Sequence, residues 1–295
     1  MASGPDTATL ERVLEAAGWA PSAQNAQPWS WHVDPNGLHL DADWSRRLGD
    51  SPFDRCDVLL ACGAVLDHCA IALDAAGWAT RIHRFPGGTV LDPGLDLRLD
   101  PVRLATFEMI ESAPMPAARE LADVIHRRRS DRRHYASAAL PETTVETLLV
   151  RAARRGVELG VVPAARWHRD DTGQVHLHYG DHAETSAAPG DGVLLALGTE
   201  DDSDAARLRA GEAASRVLLS ATAMGLASCP LTEPLRPARD RVALACEVFD
   251  GQRHAQMLIR IGTQPADVPG VSAVVRRSVA ETTTWAVDGG QRRIR

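Results

Sequence analysis

The chain has 295 residues, of which 44% are hydrophobic and 24% charged, as expected for a globular protein of one large domain or two ordinary ones. Its net charge of −7 at pH 7 argues against a nucleic-acid or membrane-surface binder, because such proteins carry an excess of basic residues. All 32 basic side chains are arginine. Without lysine, the chain supports neither Schiff-base chemistry nor a Walker-type phosphate loop.

Cysteine usage and the absence of a leader pattern indicate a cytoplasmic protein. The five cysteines form no CxxC pair and leave an odd thiol, which suits a reducing compartment. The N-terminus has no basic stretch followed by an apolar run. The most apolar stretch, residues 58–79, is interrupted by Asp67, His68 and Asp74. We therefore expect a buried helix with its preceding segment there, and no membrane partner.

In chain order, the pattern predicts the same elements twice. Each half begins with a helix, continues with a strand, a glycine-containing turn and a second strand, and then has an apolar strand, a long Ala-rich helix and a final strand. Gly77 and Gly225 follow the long helices as stop signals. The predicted helices and later strands are 9–18, 57–61, 63–76 and 95–99 in the first half, and 143–155, 193–197, 205–224 and 257–261 in the second.

Four short segments of the first half recur in the second half in the same order. The pairs are 58–63 (VLLACG) with 193–198 (VLLALG), 31–40 (WHVDPNGLHL) with 167–177 (WHRDDTGQVHL), 75–80 with 223–228, and 95–99 with 257–261. A duplicated α+β unit explains this order, although any helix–strand protein shows some echoes. Such a duplication predicts a covalent version of a symmetric homodimer, with ligand sites between the halves. The predicted parts are a first half (1–102), a connector (103–124), a second half (125–281) and a partly disordered tail (282–295).

Two polar segments distinguish the halves. Residues 20–29 (APSAQNAQPW) combine two prolines with four polar side chains, which favours a rigid loop able to hydrogen-bond a polar, ring-shaped ligand. Residues 125–135 (IHRRRSDRRHY) hold five arginines within seven residues around one serine, which suits a terminal phosphate. The alternatives are an ordinary turn for the first segment and a solvated basic helix end for the second.

These two segments resemble the two signatures of the nitroreductase family, flavoproteins that hold FMN at a dimer interface. A third segment, 225–233 (GLASCPLTE), is similar to the family's loop over the flavin N5 atom. The resemblance extends from Thr9 to Glu281, and within the family it is strongest to actinobacterial Acg-like proteins, whose single chain contains two nitroreductase halves. It implies a nitroreductase-like α+β fold, an internal pseudo-dimer that is a monomer or a homodimer, and one composite FMN site.

The resemblance also implies roles for individual residues. Its phosphate and ribityl group is Arg128, Arg129, Ser130 and Arg132, with Arg132 near the flavin N1 and O2 atoms. The ring or ribityl contacts are Ser22, Asn25 and Gln27; the backbone N–H donors to N5 are Thr232 and Glu233; and the late basic pair completing the phosphate site is Arg276 and Arg277. Pro234 departs from the family's N5 loop because it has no N–H. No catalytic side chain is assigned, since positioning and charge suffice for flavin chemistry.

Other candidate features have ordinary structural explanations. His176, His178 and His182 form the best metal candidate, but a polar strand face is favoured and no metal is predicted. We expect Cys229, Trp29 and Trp31 to be core residues, and residues 180–192 to form a surface loop, with a lid over the site as the alternative.

The resemblance implies hydride transfer from NADH or NADPH through FMN to an electron-poor small-molecule acceptor. The alternative is an FMN-sequestering or storage protein with a covered flavin and little or no turnover. A weaker third hypothesis is a biosynthetic dehydrogenase that acts on one dedicated substrate.

Overall fold

The computed structural model describes residues 4–87, 102–179, 187–264, 269–287 and 290–292. The helices are α1 (Thr7–Ala17), α2 (Pro52–Ala75), α3 (Pro116–Ile125), α4 (Glu142–Ala153), α5 (Asp204–Ala223), α6 (Ala238–Phe249) and α7 (Val279–Thr282). The strands are β1 (Trp29–Asp34), β2 (Gly37–Ala42), β3 (Trp78–Arg84), β4 (Val102–Glu111), β5 (Glu158–Val161), β6 (Trp167–Arg169), β7 (Val175–Leu177), β8 (Val193–Thr199), β9 (Leu226–Leu231), β10 (His254–Thr263), β11 (Thr283–Val287) and β12 (Gly290–Arg292).

The chain divides into two compact units, residues 1–126 with 274–295, and residues 127–273. This division differs from the predicted one at both ends of the second half. Of the expected connector, residues 103–111 lie in β4 and residues 116–124 lie in α3 of the first unit. The C-terminal segment also belongs to the first unit, so the second unit is one continuous stretch of chain.

The first unit is built on a sheet with the strand order β12-β11-β1-β2-β4-β3. Only the β1–β11 pairing is parallel, with Trp31 opposite Thr283. Within the tail that the sequence predicts to be partly disordered, residues 283–287 form this strand. Their threonines, tryptophan and valine are strand-forming residue types, and the preceding helix α7 begins with a capping box between Ser278 and Glu281.

Helix α2 forms the core of the first unit. By length and composition it is apolar enough to cross a membrane, but that stretch is entirely buried inside the unit. The predicted strand at 57–61 is wrong, because these residues lie within α2. Ser51 and Asp54 form a reciprocal capping box and Pro52 occupies the first turn, which starts the helix earlier than the apolar pattern indicates. A short apolar run fits a buried strand and a buried helix equally well.

The second unit contains an antiparallel sheet with the order β5-β8-β10-β9 and a separate β6–β7 hairpin. The predicted strand 193–197 lies in β8, 257–261 lies in β10, and the long helix is α5. Gly77 and Gly225 follow α2 and α5 with φ of +91° and +76°, as the predicted helix stops require. Residues 95–99 and His182 lie outside the described residues.

The β1–β2 and β6–β7 hairpins share one set of polar contacts. In each, an aspartate at the end of the first strand accepts a hydrogen bond from the turn backbone two residues later and bonds to a histidine on the second strand. The atom pairs are Asp34 Oδ1 with Asn36 N (2.7 Å) and His39 Nε2 (3.1 Å), and Asp170 Oδ1 with Thr172 N (2.9 Å) and Oδ2 with His176 Nε2 (2.9 Å). His32 and His168 lie opposite these histidines across the strands.

Candidate functional site

The loop at residues 20–29 of the first unit has a strained backbone. It contains a single 3₁₀ turn, Ala23–Asn25, and Gln24, Asn25 and Gln27 have φ of +47°, +57° and +49°. Among the described residues, they are three of the five non-glycine positions with positive φ. Such conformations persist only where the surroundings enforce them, and they cluster at functional sites. The loop therefore needs specific contacts to hold its shape.

Polar side chains of the first unit hold this loop in shape. Ser22 Oγ accepts a hydrogen bond from the Gln27 backbone N–H at 3.0 Å, and Gln27 Oε1 accepts one from Arg277 N at 2.8 Å. Asn25 Nδ2 donates to Val275 O at 2.9 Å, and Asn25 Oδ1 accepts from Arg276 Nη1. The three predicted loop residues and the predicted late basic pair therefore lie together within one network.

The two late arginines act on the loop through different contacts. Arg276 lies over the Trp19 ring, with its guanidinium carbon 5.5 Å from the ring centroid. Arg277 Nη1 donates to Gln27 O at 3.0 Å and to Trp29 O at 3.3 Å. Burial lowers the pKa of Arg277, and the neighbouring charge of Arg46 lowers it further. In this unit Arg276 and Arg277 serve as supports of the loop; the phosphate contact stays a prediction.

The second predicted segment lies at the start of the second unit and is not a solvated helix end. Helix α3 ends at Ile125, and Arg128 is only 2% exposed. Arg128 Nη1 lies 3.5 Å from Ser130 Oγ, and Arg129 Nη1 donates to Arg128 O at 2.8 Å. Arg132 keeps a side-chain exposure of 45% and pairs with Glu233 at 2.8 Å. Buried and accessible donors thus alternate along one short segment.

Arginine side chains bind three consecutive backbone carbonyls of this segment. The contacts are Arg260 Nη2 with Asp131 O (3.1 Å), Arg169 Nε with Arg132 O (2.8 Å) and Arg260 Nη2 with Arg133 O (2.6 Å). Sequence reasoning missed Arg260. The available signal was a charged residue within the otherwise apolar run 257–261 (MLIRI), in a strand that the structure buries.

The arginines of this region affect the pKa values of a neighbouring carboxyl group and a neighbouring thiol. Burial alone would raise the pKa of Asp131, but hydrogen bonds from the Arg133 side chain and backbone, with the charges of Arg133 and Arg260, outweigh it and the pKa is lowered. Burial raises the pKa of Cys229 to about 11, against the opposing charges of Arg132 and Arg260. Cys229 is therefore a buried thiol at neutral pH, as predicted for a core residue.

In the predicted N5 loop, the backbone N–H of Thr232 already donates to the side chain of the next residue, Glu233. Thr232 N donates to Glu233 Oε2 at 3.1 Å, and Glu233 Oε1 accepts from Arg132 Nη2 at 2.8 Å. One carboxylate therefore links the Thr232 N–H and the Arg132 guanidinium, two groups that the sequence assigned to the flavin. Pro234 follows in the 3₁₀ turn Glu233–Leu235. The predicted backbone contact to N5 stays a prediction.

The remaining candidates have structural explanations within the described residues. His176 and His178 both stack beside His168, with ring centroids 5.1 and 4.5 Å away. No described group of three or more His, Cys, Asp or Glu side chains is arranged to hold a metal ion. Trp29 and Trp31 are 1% and 2% exposed, which confirms them as core residues. Of the predicted surface loop or lid at 180–192, residues 180–186 lie outside the described part of the chain.

Comparisons with known proteins agree with the signatures. The model of the nitroreductase family matches residues 2–88. The "Putative NAD(P)H nitroreductase Rv3131" of Mycobacterium tuberculosis is 36% identical, and the alignment covers 95% of this chain and 92% of the relative. The chain belongs to the nitroreductase family. The "Putative NAD(P)H nitroreductase acg" of the same species is 30% identical over 94% of this chain and 97% of the relative, which confirms the Acg-like resemblance.

A solved structure extends the match to the fold. The crystal structure of a "putative nitroreductase" from Anabaena variabilis aligns with a TM-score of 0.54 and 11% identity, over 89% of this chain and 90% of that one. The predicted nitroreductase-like α+β fold is therefore confirmed for this single chain.

Proposed function

We propose that the protein is an FMN-dependent oxidoreductase that transfers hydride from NADH or NADPH to an electron-poor small-molecule acceptor. Membership of the nitroreductase family supports an oxidoreductase, and the names of the M. tuberculosis relatives support a nicotinamide nucleotide as the donor. The observation that carries the proposal is the segment from Arg128 to Arg132, where a buried guanidinium and a hydroxyl lie side by side.

The donor chemistry of this segment fits the phosphate end of FMN. Arg128 supplies a fixed positive charge from a position that water hardly reaches, and Ser130 supplies a hydroxyl 3.5 Å away. An arginine fork with a neighbouring hydroxyl matches the geometry of a terminal phosphate. Arg129 adds positive charge beside them. In this proposal Arg132, which is more exposed, stabilises negative charge on the reduced ring.

FMN, when bound, supplies the group that accepts and donates the two electrons. The protein binds it, orients it and sets the local charge, so no side chain has to act as acid or base. We propose that Ser22, Asn25 and Gln27 of the strained loop are flavin-binding residues. In this proposal Arg276 and Arg277 keep the loop in its binding conformation.

An anaerobic absorbance titration of the flavin-loaded protein with NADPH and NADH tests this function. Bleaching of the bound flavin by either nucleotide is the expected result. Bleaching by dithionite alone would favour the storage alternative, and failure to bind FMN would reject the proposed site. Arg128→Met should lose FMN on gel filtration, whereas Arg239→Met, at an exposed position of α6, should retain it. Equal retention by both variants would contradict the phosphate assignment.

A further inference from the structure

We propose that Arg260 is the positioning residue of the FMN-binding segment and determines its preference for a phosphorylated flavin. This inference rests on the proposed function. Arg260 lies within β10 and is 1% exposed. A buried arginine requires strong internal partners, because desolvation of its charge is costly. The identity of its hydrogen-bond partners shows which part of the chain it stabilises.

Those hydrogen-bond partners are backbone carbonyls, two of which flank Arg132. Arg260 Nη2 donates to Asp131 O at 3.1 Å and to Arg133 O at 2.6 Å, and Nη1 donates to Asp191 O at 3.3 Å. A single planar guanidinium thus holds the carbonyl groups of the residues before and after Arg132. Lysine lacks this fork and cannot reproduce the three directions from one rigid plane.

Tyr135 contacts both the Arg260 guanidinium and the Asp131 carbonyl. Its ring centroid lies 3.9 Å from the Arg260 guanidinium carbon, and its hydroxyl donates to Asp131 O at 2.8 Å. The ring occupies space that two glycines leave open: a Cβ would lie 2.3 Å from Tyr135 Cδ2 at Gly262, and 2.9 Å from it at Gly192. Glycine at positions 192 and 262 therefore leaves room for the Tyr135 ring. The Tyr135 hydroxyl in turn holds the Asp131 carbonyl.

The consequence is a preorganised anion-binding segment. The Asp131 N–H donates to Ser228 O at 2.9 Å and the Tyr135 N–H to Gly190 O at 2.6 Å, so N–H groups at both ends of the turn are tied to the surrounding fold. Donors that are held in place before binding lose less conformational freedom when an anion binds. Asp131 directly follows Ser130, and Ser130 and Arg128 are the proposed phosphate contacts. Loosening the turn at Asp131 should therefore weaken contacts with the phosphate more than the one ring contact proposed for this segment, at Arg132.

The test compares FMN with riboflavin, which lacks the phosphate. The full-length wild type, Arg260→Lys, Arg260→Met and Tyr135→Phe are titrated with each flavin, and the ratio of the two dissociation constants is measured. Arg260→Lys should reduce the preference for FMN by about tenfold, roughly the effect of losing one charge-assisted hydrogen bond. Tyr135→Phe should reduce it less, and Arg239→Met should leave it unchanged.

Each outcome of this comparison is decisive. If thermal melting shows that Arg260→Met is not folded, the test uses Arg260→Lys and Tyr135→Phe. An unchanged FMN preference in folded Arg260→Lys would overturn the inference, as would an equal loss of affinity for both flavins, which a purely structural role predicts. Loss of the preference in Arg128→Met but not in Arg260→Lys would reject only the role of Arg260. Failure of the wild type to bind either flavin would reject the proposed function and the inference with it.

Discussion

Substitution of Asn25 separates backbone strain from hydrogen bonding in the loop of the first unit. Asn25 has a φ of +57°, which asparagine and glycine tolerate better than alanine. Its side chain donates to Val275 O at 2.9 Å and accepts from the Arg276 guanidinium. Asn25→Ala removes the side-chain contacts and adds strain, whereas Asn25→Gly removes the contacts alone.

The expected magnitudes follow from these contacts. The hydrogen bond to Val275 is worth about 0.5 kcal/mol and the one from the charged Arg276 about 1.5 kcal/mol, each at the low end of its range because the site is only half-buried. Alanine in the left-handed region adds about 1 kcal/mol. Asn25→Ala should therefore destabilise the folded protein by about 3 kcal/mol, and Asn25→Gly, which loses the contacts alone, by about 2 kcal/mol.

Urea denaturation of the full-length protein, followed by tryptophan fluorescence, measures this difference. With a slope of about 2 kcal/mol/M, the midpoint should fall by about 1.5 M for Asn25→Ala and about 1 M for Asn25→Gly. Asn25→Asp, which retains the acceptor for Arg276 but loses the donor to Val275, should fall between Asn25→Gly and the wild type. A midpoint of Asn25→Ala equal to that of the wild type would refute the strain and the network together.

Two further predictions concern charges in the second unit. Glu233→Gln removes the carboxylate from Arg132 and should shift the flavin midpoint potential upward by about 10–20 mV, since an exposed pair is worth at most about 1 kcal/mol. The control Glu247→Gln in α6, where Glu247 pairs with Arg166, should leave the potential unchanged, and an equally unchanged potential in Glu233→Gln would contradict the prediction. Asp131 has a lowered pKa in the folded state, so its contribution is present at neutral pH and is lost as the pH falls below about 4. The melting temperature of Asp131→Asn should accordingly fall less than that of the wild type between pH 6 and pH 3, and parallel curves would argue against it.

The sequence predicted elements well where local signals agree. The helix ends at Gly77 and Gly225 and both hairpins carry strong turn chemistry, and all four are present. The apolar run at 57–61 was assigned to a strand because its length and composition do not distinguish a buried strand from a buried helix. The capping box at Ser51 and Asp54 was the local signal that decides between them. The return of β11 to the first sheet depends on a long-range pairing that no local pattern encodes.

In the candidate site, the sequence indicated which residues to consider but not their hydrogen-bond partners. The two signatures lie on a loop with positive φ angles and on a segment with a buried arginine, and their flavin contacts stay predictions. The sequence did not indicate that the loop side chains bond to Arg276 and Arg277, because these contacts join residues about 250 positions apart. Nor did it indicate that Glu233 bonds to both Arg132 and the Thr232 N–H. Such partners are fixed by the packing of distant segments.

Polar contacts identify the repeated part of the chain better than apolar runs do. Segments 58–63 and 193–198 are similar in sequence, but one lies in helix α2 and the other in strand β8. The two hairpins instead repeat a whole geometry, in which Asp34 and Asp170 each join a turn N–H to a cross-strand histidine. Apolar runs recur in unrelated elements, whereas a carboxylate, a turn and a histidine at matching positions require the same backbone path. The hairpins therefore give the stronger support for a duplicated unit, within which the loop at 20–29 and the segment at 125–135 are the parts that diverged.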